Sequence, residues 1–369
     1  MVNSTIPRGA PGIRGRLGEL CYSSGLLHPL QRVRAWWQRD LRILAYHRVM
    51  PLPDPDTYEF DLELISTPPA EFREQMLWLK KYFRPTRLTD VVAALDAGEA
   101  LPPDSVVVTF DDGYDDNYRI AAPILDELDV PATFFVSTGH IDTGRPYAYD
   151  WLVHMILLTK APRMVLPELS IDVALPAERA LRRRIAGNVL LRMKWLDAFG
   201  QTAMIERLET EWNMPSAKAR PADCRPMTWD QAREMEAAGL EFGSHGVHHR
   251  MLARLPQDDM EHEIQASKTT LDRELRRPAV LMSYPVGGDR AYNDSVIAAT
   301  RNAGFRLACS YICGTNAEPS VNRYSLNRLP VESNMGPGWF AAMLALPQLM
   351  SYPTAAHETS GQGERACSP

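Results

Sequence analysis

A chain of 369 residues, 45% hydrophobic and 23% charged, is long enough for one large α/β domain with extensions or for two small domains. Those proportions exclude disorder throughout. A formal net charge of −6 argues against general nucleic-acid binding, which needs a basic surface, and no apolar run is long enough to cross a bilayer.

Residues 1–40 form a basic, amphipathic extension. From Leu17 to Leu41, Leu20, Leu27, Leu30, Val33, Trp36 and Trp37 recur at loosely helical spacing among Arg32, Arg34, Arg39 and Arg42. Such a helix fits an anionic membrane surface or the outside of the main domain with its arginines in solvent, and spacing does not separate the two. Arg42–Tyr46 (RILAY) reads as a short buried strand. Glu71–Phe83 places Phe72, Met76, Leu79 and Phe83 on one helical face, and Leu88–Ala97 starts a second helix with Thr89 as N-cap. Ser105–Phe110 (SVVVTF) suits a strand buried on both faces. A helix at Tyr118–Leu128 and a strand at Ala132–Ser137 follow.

The middle, from about Tyr149 to Asp223, is helix-rich with few strand signals and reads as a helical insertion that could serve as a lid. Strands then return at Leu240–Ser244, Val280–Tyr284 and Phe305–Ser310, separated by helices at Asp230–Ala238, Asp258–Leu275 and Asp294–Ala303. This alternation implies parallel pairing with helices outside, in a barrel or in an open sheet. The main domain is expected over 41–335, and 336–369 should hold a helix and then a polar, disordered tail from Tyr352. The five cysteines, at 21, 224, 309, 313 and 367, are odd in number and scattered, as idle thiols are. The first 25 residues carry no apolar core ahead of a cleavage site, so the expected location is cytoplasmic, with room for peripheral contact at the inner face of the membrane.

Three segments at strand ends could carry chemistry. Asp111 and Asp112 follow SVVVTF and precede Gly113. Adjacent carboxylates repel, and a cation offsets that while leaving one of them free as a base; the alternative is an ordinary Asp-Gly turn. Gly243–His249 (GSHGVHH) holds three of the nine histidines. His245 with either His248 or His249 could join a carboxylate in a three-ligand site open to water, the pattern of a catalytic metal. Ser283–Gly288 (SYPVGG) could expose a backbone N–H to a substrate, or simply turn.

Together these segments resemble the polysaccharide deacetylases, the NodB-like enzymes of carbohydrate esterase family four. Thr109–Gly113 (TFDDG) matches the family's first motif, Ser244–Leu252 (SHGVHHRML) the second and SYPVGG the third, over about Arg42 to Pro330. AYHRV, ending near His47, and Tyr149–Trp151 (YDW) resemble its exopolysaccharide-associated branch. The resemblance implies a distorted (β/α) barrel with a helical insertion, and removal of an N-acetyl group from an amino sugar in a polysaccharide or glycan precursor. It implies Asp111 as catalytic base, and Asp112, His245 and His249 as ligands of a divalent metal ion, with Zn²⁺ the expected one. Val286 would supply the oxyanion N–H. Two departures stand out. The family's third-motif arginine, which braces the base, is replaced by Ser283, so Arg48, Arg290 or Arg328 must substitute. LNRLPV at 326–331 lacks the usual acid histidine, for which His47 is the candidate, unless it is simply a buried histidine near the barrel end. The alternatives are a deacylase of a lipid- or nucleotide-linked sugar and a catalytically silent carbohydrate-binding homologue.

Overall fold

The structure, a computed structural model, describes residues 13–37, 39–193, 196–218, 222–288, 290–317 and 322–351. Seven strands make its centre: β1 (Asp40–Tyr46), β2 (Ser105–Phe110), β3 (Ala132–Val136), β4 (Glu241–Ser244), β5 (Leu281–Ser283), β6 (Leu307–Cys313) and β7 (Leu326–Pro330). Neighbours pair in parallel in the order β1-β7-β6-β5-β4-β3-β2. The ring then closes on itself, because β1 also pairs with β2, from Arg42 opposite Val106 to Tyr46 opposite Phe110. This last ladder rules out the open sheet.

Side chains alternate across each strand. Leu44, Tyr46, Val108, Phe110 and Phe134 pack against Phe72, Met76 and Leu79 of the outer helix α3 (Pro69–Tyr82). Ile43, Val107, Phe135, Leu281, Leu307 and Leu326 instead meet one another in the lumen, with Leu88, Val91 and Val92 of α4 (Leu88–Ala97). That second helix stops the amino-terminal end of the barrel. Its N-cap residue is Arg87, not Thr89, which lies inside the first turn. The Glu241 carboxylate at the start of β4 accepts the N–H groups of Leu88 (2.9 Å) and Thr89 (3.3 Å), so a side chain remote in sequence does the capping.

The segment expected to be helical contains helices Ala148–Leu158, Arg179–Met193 and Ala198–Glu211, but also an antiparallel hairpin, Arg163–Leu166 with Ile171–Ala174. Its strands are four residues long, too short for a period to register. Trp151, Met155, Met164, Leu166, Val189 and Leu208 give the segment a core of its own.

At the amino terminus, the single helical stretch expected from Leu17 to Leu41 is two helices, α1 (Ile13–Ser23) and α2 (Leu27–Trp37), broken at Gly25, whose φ is +72°. Arg42 belongs to β1 and is buried, donating to the Leu344 carbonyl (2.9 Å), so it is not on a solvated helix face. The helices lie across the outside of the barrel on helix α6 (Pro337–Ala345). Side chains of Trp36 and Trp37, Cys367 and the tail from Tyr352 lie outside the described residues. The other four cysteines are free thiols. No helix among the described residues is long and apolar enough to cross a membrane.

Candidate active site

The carboxyl ends of the strands converge at one mouth, where loops can carry polar groups without breaking ladder bonds. Asp111 and Asp112 leave β2, His245 leaves β4, Ser283 ends β5, Arg328 lies in β7, and His47 follows β1. Asp112 Oδ1 lies 3.4 Å from His249 Nε2 and 3.7 Å from His245 Nε2. One ligand atom from each of the three residues falls within 4.8 Å of the others. Nδ1 of His245 donates to the Ser283 carbonyl (2.8 Å), which fixes the tautomer and turns the Nε2 lone pair inward. The ring of His249 is held by the edges of Tyr147 and Tyr149, at 5.7 and 5.8 Å. His248 turns away: its Nδ1 bonds Glu263 (2.6 Å) of α5 (Gln257–Glu274), whose other oxygen takes the N–H groups of Val247 and His248. Of the two histidines that spacing left open, His249 is the one that faces Asp112, while a buried glutamate turns His248 away.

The two aspartates have opposite electrostatics. Burial alone would raise the Asp111 carboxyl, but the Arg328 guanidinium, with His245 beside it, holds it well below the usual carboxylate range. Arg328 is fully buried and grips Asp111 in a fork, at 2.8 and 2.6 Å. It also donates to Thr109 Oγ1 (3.2 Å) and Ser283 Oγ (2.9 Å). Of the three candidate arginines, Arg328 is the one that pairs with Asp111; Arg48 pairs with Asp116 (2.8 Å), and Arg290 is exposed. Asp112 is pushed well above the carboxylate range by burial, then by the charges of Asp111 and Asp150. Its Oδ1 is buried with no hydrogen-bond partner among the described residues. Burial lowers both His245 and His249, which keeps their imidazoles neutral, the form that binds metal. A buried, unpartnered carboxylate oxygen facing two neutral ring nitrogens fits a divalent cation.

Three of these loop residues hold φ values that side chains seldom adopt: Asp112 (+73°), His249 (+55°) and Val286 (+63°). A β-branched residue there is strained, and such strain gathers at working sites. The Val286 turn is pinned by Gly287, whose carbonyl accepts from the Tyr311 N–H (2.7 Å). Tyr311 also covers Arg328 (5.3 Å) and meets the His47 ring edge-on at 5.5 Å. His47 is half-buried, and burial brings its pKa down to about 4 against the opposing pull of Asp111.

A family model described as polysaccharide deacetylase matches residues 98–308, more than half of the chain. The chain belongs to the polysaccharide deacetylase family. It is a hydrolase of carbon–nitrogen bonds other than peptide bonds. YxkH of Bacillus subtilis (strain 168), which bears a polysaccharide deacetylase name, is 22% identical over 285 residues, 76% of this chain and 71% of its own. The poly-beta-1,6-N-acetyl-D-glucosamine N-deacetylase of Escherichia coli (strain K12) is 33% identical over 84 residues, 22% of this chain and 12% of that protein. Among solved structures, the Streptococcus pyogenes deacetylase PplD in complex with acetate aligns with a TM-score of 0.55 at 22% identity, covering 85% of this chain and 100% of that one. IcaB from Ammonifex degensii aligns at 0.51 and 18%, covering 84% and 97%. At these identities the structural likeness is one of fold.

In this deacetylase, sequence reasoning missed Tyr147, whose hydroxyl donates to the Asp112 carbonyl, and Tyr311. It also missed Glu332, two residues past β7, whose carboxyl burial pushes up to about 8. A strand-end position was the one signal available for Glu332. The tyrosines gave none, since their partners come from other strands.

Proposed function

We propose that this polysaccharide deacetylase removes an N-acetyl group from an amino sugar in a polysaccharide or its glycan precursor, with Asp112, His245 and His249 holding a divalent metal ion, Zn²⁺ first among candidates. The observation that carries the reading is the split pair: Asp111 kept ionised by Arg328, and Asp112 buried beside two imidazoles with an oxygen left over. A divalent cation there would supply Lewis-acid polarisation of the acyl carbonyl and a more acidic water.

The chain's own residues do the rest. Asp111 is the base that takes a proton as water attacks the carbonyl carbon, and Arg328 fixes which way its oxygens point. The Val286 N–H finds no acceptor among the described residues and donates to the oxyanion as charge develops. His47 delivers a proton to the departing nitrogen as the C–N bond breaks. With a pKa near 4 its ring is neutral at pH 7, so the proton it hands over is the one Asp111 took from the attacking water, and Asp111 returns to its ionised form. Acetate and a free amine leave.

The test is acetate release from N-acetylated glucosamine oligomers by Zn²⁺-loaded protein, beside N-formylated oligomers, with elemental analysis of variants. Asp112→Ala and His249→Ala should lose metal; Asp111→Asn should keep it and lose turnover by roughly 10²–10⁴. Unchanged metal in both ligand variants, or no acetate from any oligomer, would sink the proposal. Formate release alone would move the substrate to a formylated sugar.

A further inference from the structure

The first amino-terminal helix faces the wrong way for ordinary amphipathic packing. Against α6 (Pro337–Ala345), α1 presents Gly15 and Gly18. The contact is backbone on backbone: a Cβ on Gly18 would meet the Gly338 carbonyl oxygen and the Trp339 Cα at 2.9 Å. Leu27 of α2 is buried with Ala341 and Ala342, but most of the large apolar side chains point outward. Ile13, Leu17 and Leu20 in α1, and Leu26, Leu30 and Val33 in and just before α2, are from 41% (Leu30) to 79% (Ile13) exposed. Each trio has the spacing i, i+4, i+7, which is one stripe on one helix face. Isolated exposed leucines are ordinary, whereas three in line along one face of each helix are not.

Charge identifies the occupant. Residues 1–39 contain six arginines and one acid, Glu19, in a chain whose total is −6. Arg14, Arg16, Arg32 and Arg39 are exposed on the same two helices and just beyond them. We propose that this face docks on an anionic lipid surface, the apolar stripes entering the headgroup–acyl boundary and the arginines meeting phosphates. A second copy fits less well, because a two-fold contact would set the same arginines against one another. The acidic remainder of the chain is repelled by the same surface, which orients the docked molecule. Gln31 bonds Asp104 (3.2 Å) and Arg34 bonds Asp40 (2.9 Å), the residues just before β2 and at the start of β1. The carboxyl half of α2 therefore lies toward the amino-terminal ends of the strands, away from the Asp111–Arg328 mouth.

The test is flotation of the full chain with vesicles of phosphatidylglycerol and phosphatidylcholine in equal parts, beside phosphatidylcholine alone. The wild type should float with the mixed vesicles and not the neutral ones, and salt raised from about 0.1 M to about 1 M should release it. Arg14→Glu/Arg32→Glu and Leu17→Glu/Leu30→Glu should each bind roughly tenfold or more weakly, with acetate release from a soluble oligomer unchanged. The vesicle and salt comparisons need no variant. Wild type that ignores the anionic vesicles, or binds neutral ones equally, overturns the proposal. So does light scattering that shows a dimer made monomeric by Leu17→Glu/Leu30→Glu, which would give the face to a second copy.

Discussion

Asp111 and Asp112 are adjacent in sequence and both buried, yet their surroundings drive them apart, one by an arginine from the opposite end of the chain and one by the want of any partner. Arg328→Met would leave Asp111 charged and unpaired, at a cost of about 3–5 kcal/mol in denaturant unfolding. Because the Asp111 pKa is depressed in the fold, that deficit should be constant above the unfolded value of about 3.9 and shrink as pH falls further. An unchanged midpoint at pH 7 would show the fork adds nothing. Glu332 runs in the opposite sense. Its pKa near 8 keeps it protonated where an unfolded glutamate, with a pKa of about 4.3, is ionised, so stability falls as pH rises from about 4 to about 8. Glu332→Gln should therefore gain about 1–3 kcal/mol at pH 8 and nothing at pH 4, read from denaturant melts at both. Residue types at the site were legible in the sequence because the carboxylates and histidines sit in short contiguous motifs. Which arginine pairs with Asp111 was not. Arg48, Arg290 and Arg328 are equally plausible as letters, and only ring closure brings one of them to Asp111.

Among the elements, the close approach of α1 and α6 makes a sharp comparison. A methyl on Gly338 would meet the Glu19 Cα at 2.6 Å, so Gly338→Ala should force the helices apart and cost about 1–3 kcal/mol. Gly187, in the helix Arg179–Met193, has nothing within 4 Å of a built Cβ, and Gly187→Ala should stabilise by about 0.5–1 kcal/mol. Thermal melts of the two variants shifting in the same direction would contradict this account of the helix contact. The helices and barrel strands were readable because their periods run long enough to register. The Arg163–Ala174 hairpin was not, at four residues a strand, nor was the cap of α4, whose partner Glu241 is about 150 residues away.

At the scale of the whole molecule, the site is held in a form it would not choose alone. Three side-chain-bearing residues at positive φ cost on the order of 1–3 kcal/mol each, and Asp112 adds an unpartnered buried oxygen. A bound divalent ion relieves the second burden. Dialysis against a chelator should therefore lower the unfolding temperature, and Zn²⁺ at about a hundred times its Kd should restore about 2.7 kcal/mol. A melt indifferent to both would mean that the three ligand-type residues hold no ion. Strand–helix alternation made the α/β class legible, but barrel and open sheet differ by one ladder, β1 on β2, that no local pattern encodes.

That ladder, with β7 on the other side of β1, has a bearing on how the chain is made. The first strand takes one of its two neighbours from the last, Leu44 opposite Leu329, so a chain leaving the ribosome must hold an unclosed rim until that last strand has emerged. The guanidinium that steadies Asp111 rides on that final strand. Until it docks, the nascent protein has an uncompensated acid at its heart, and competence for hydrolysis arrives in a single late event rather than by degrees.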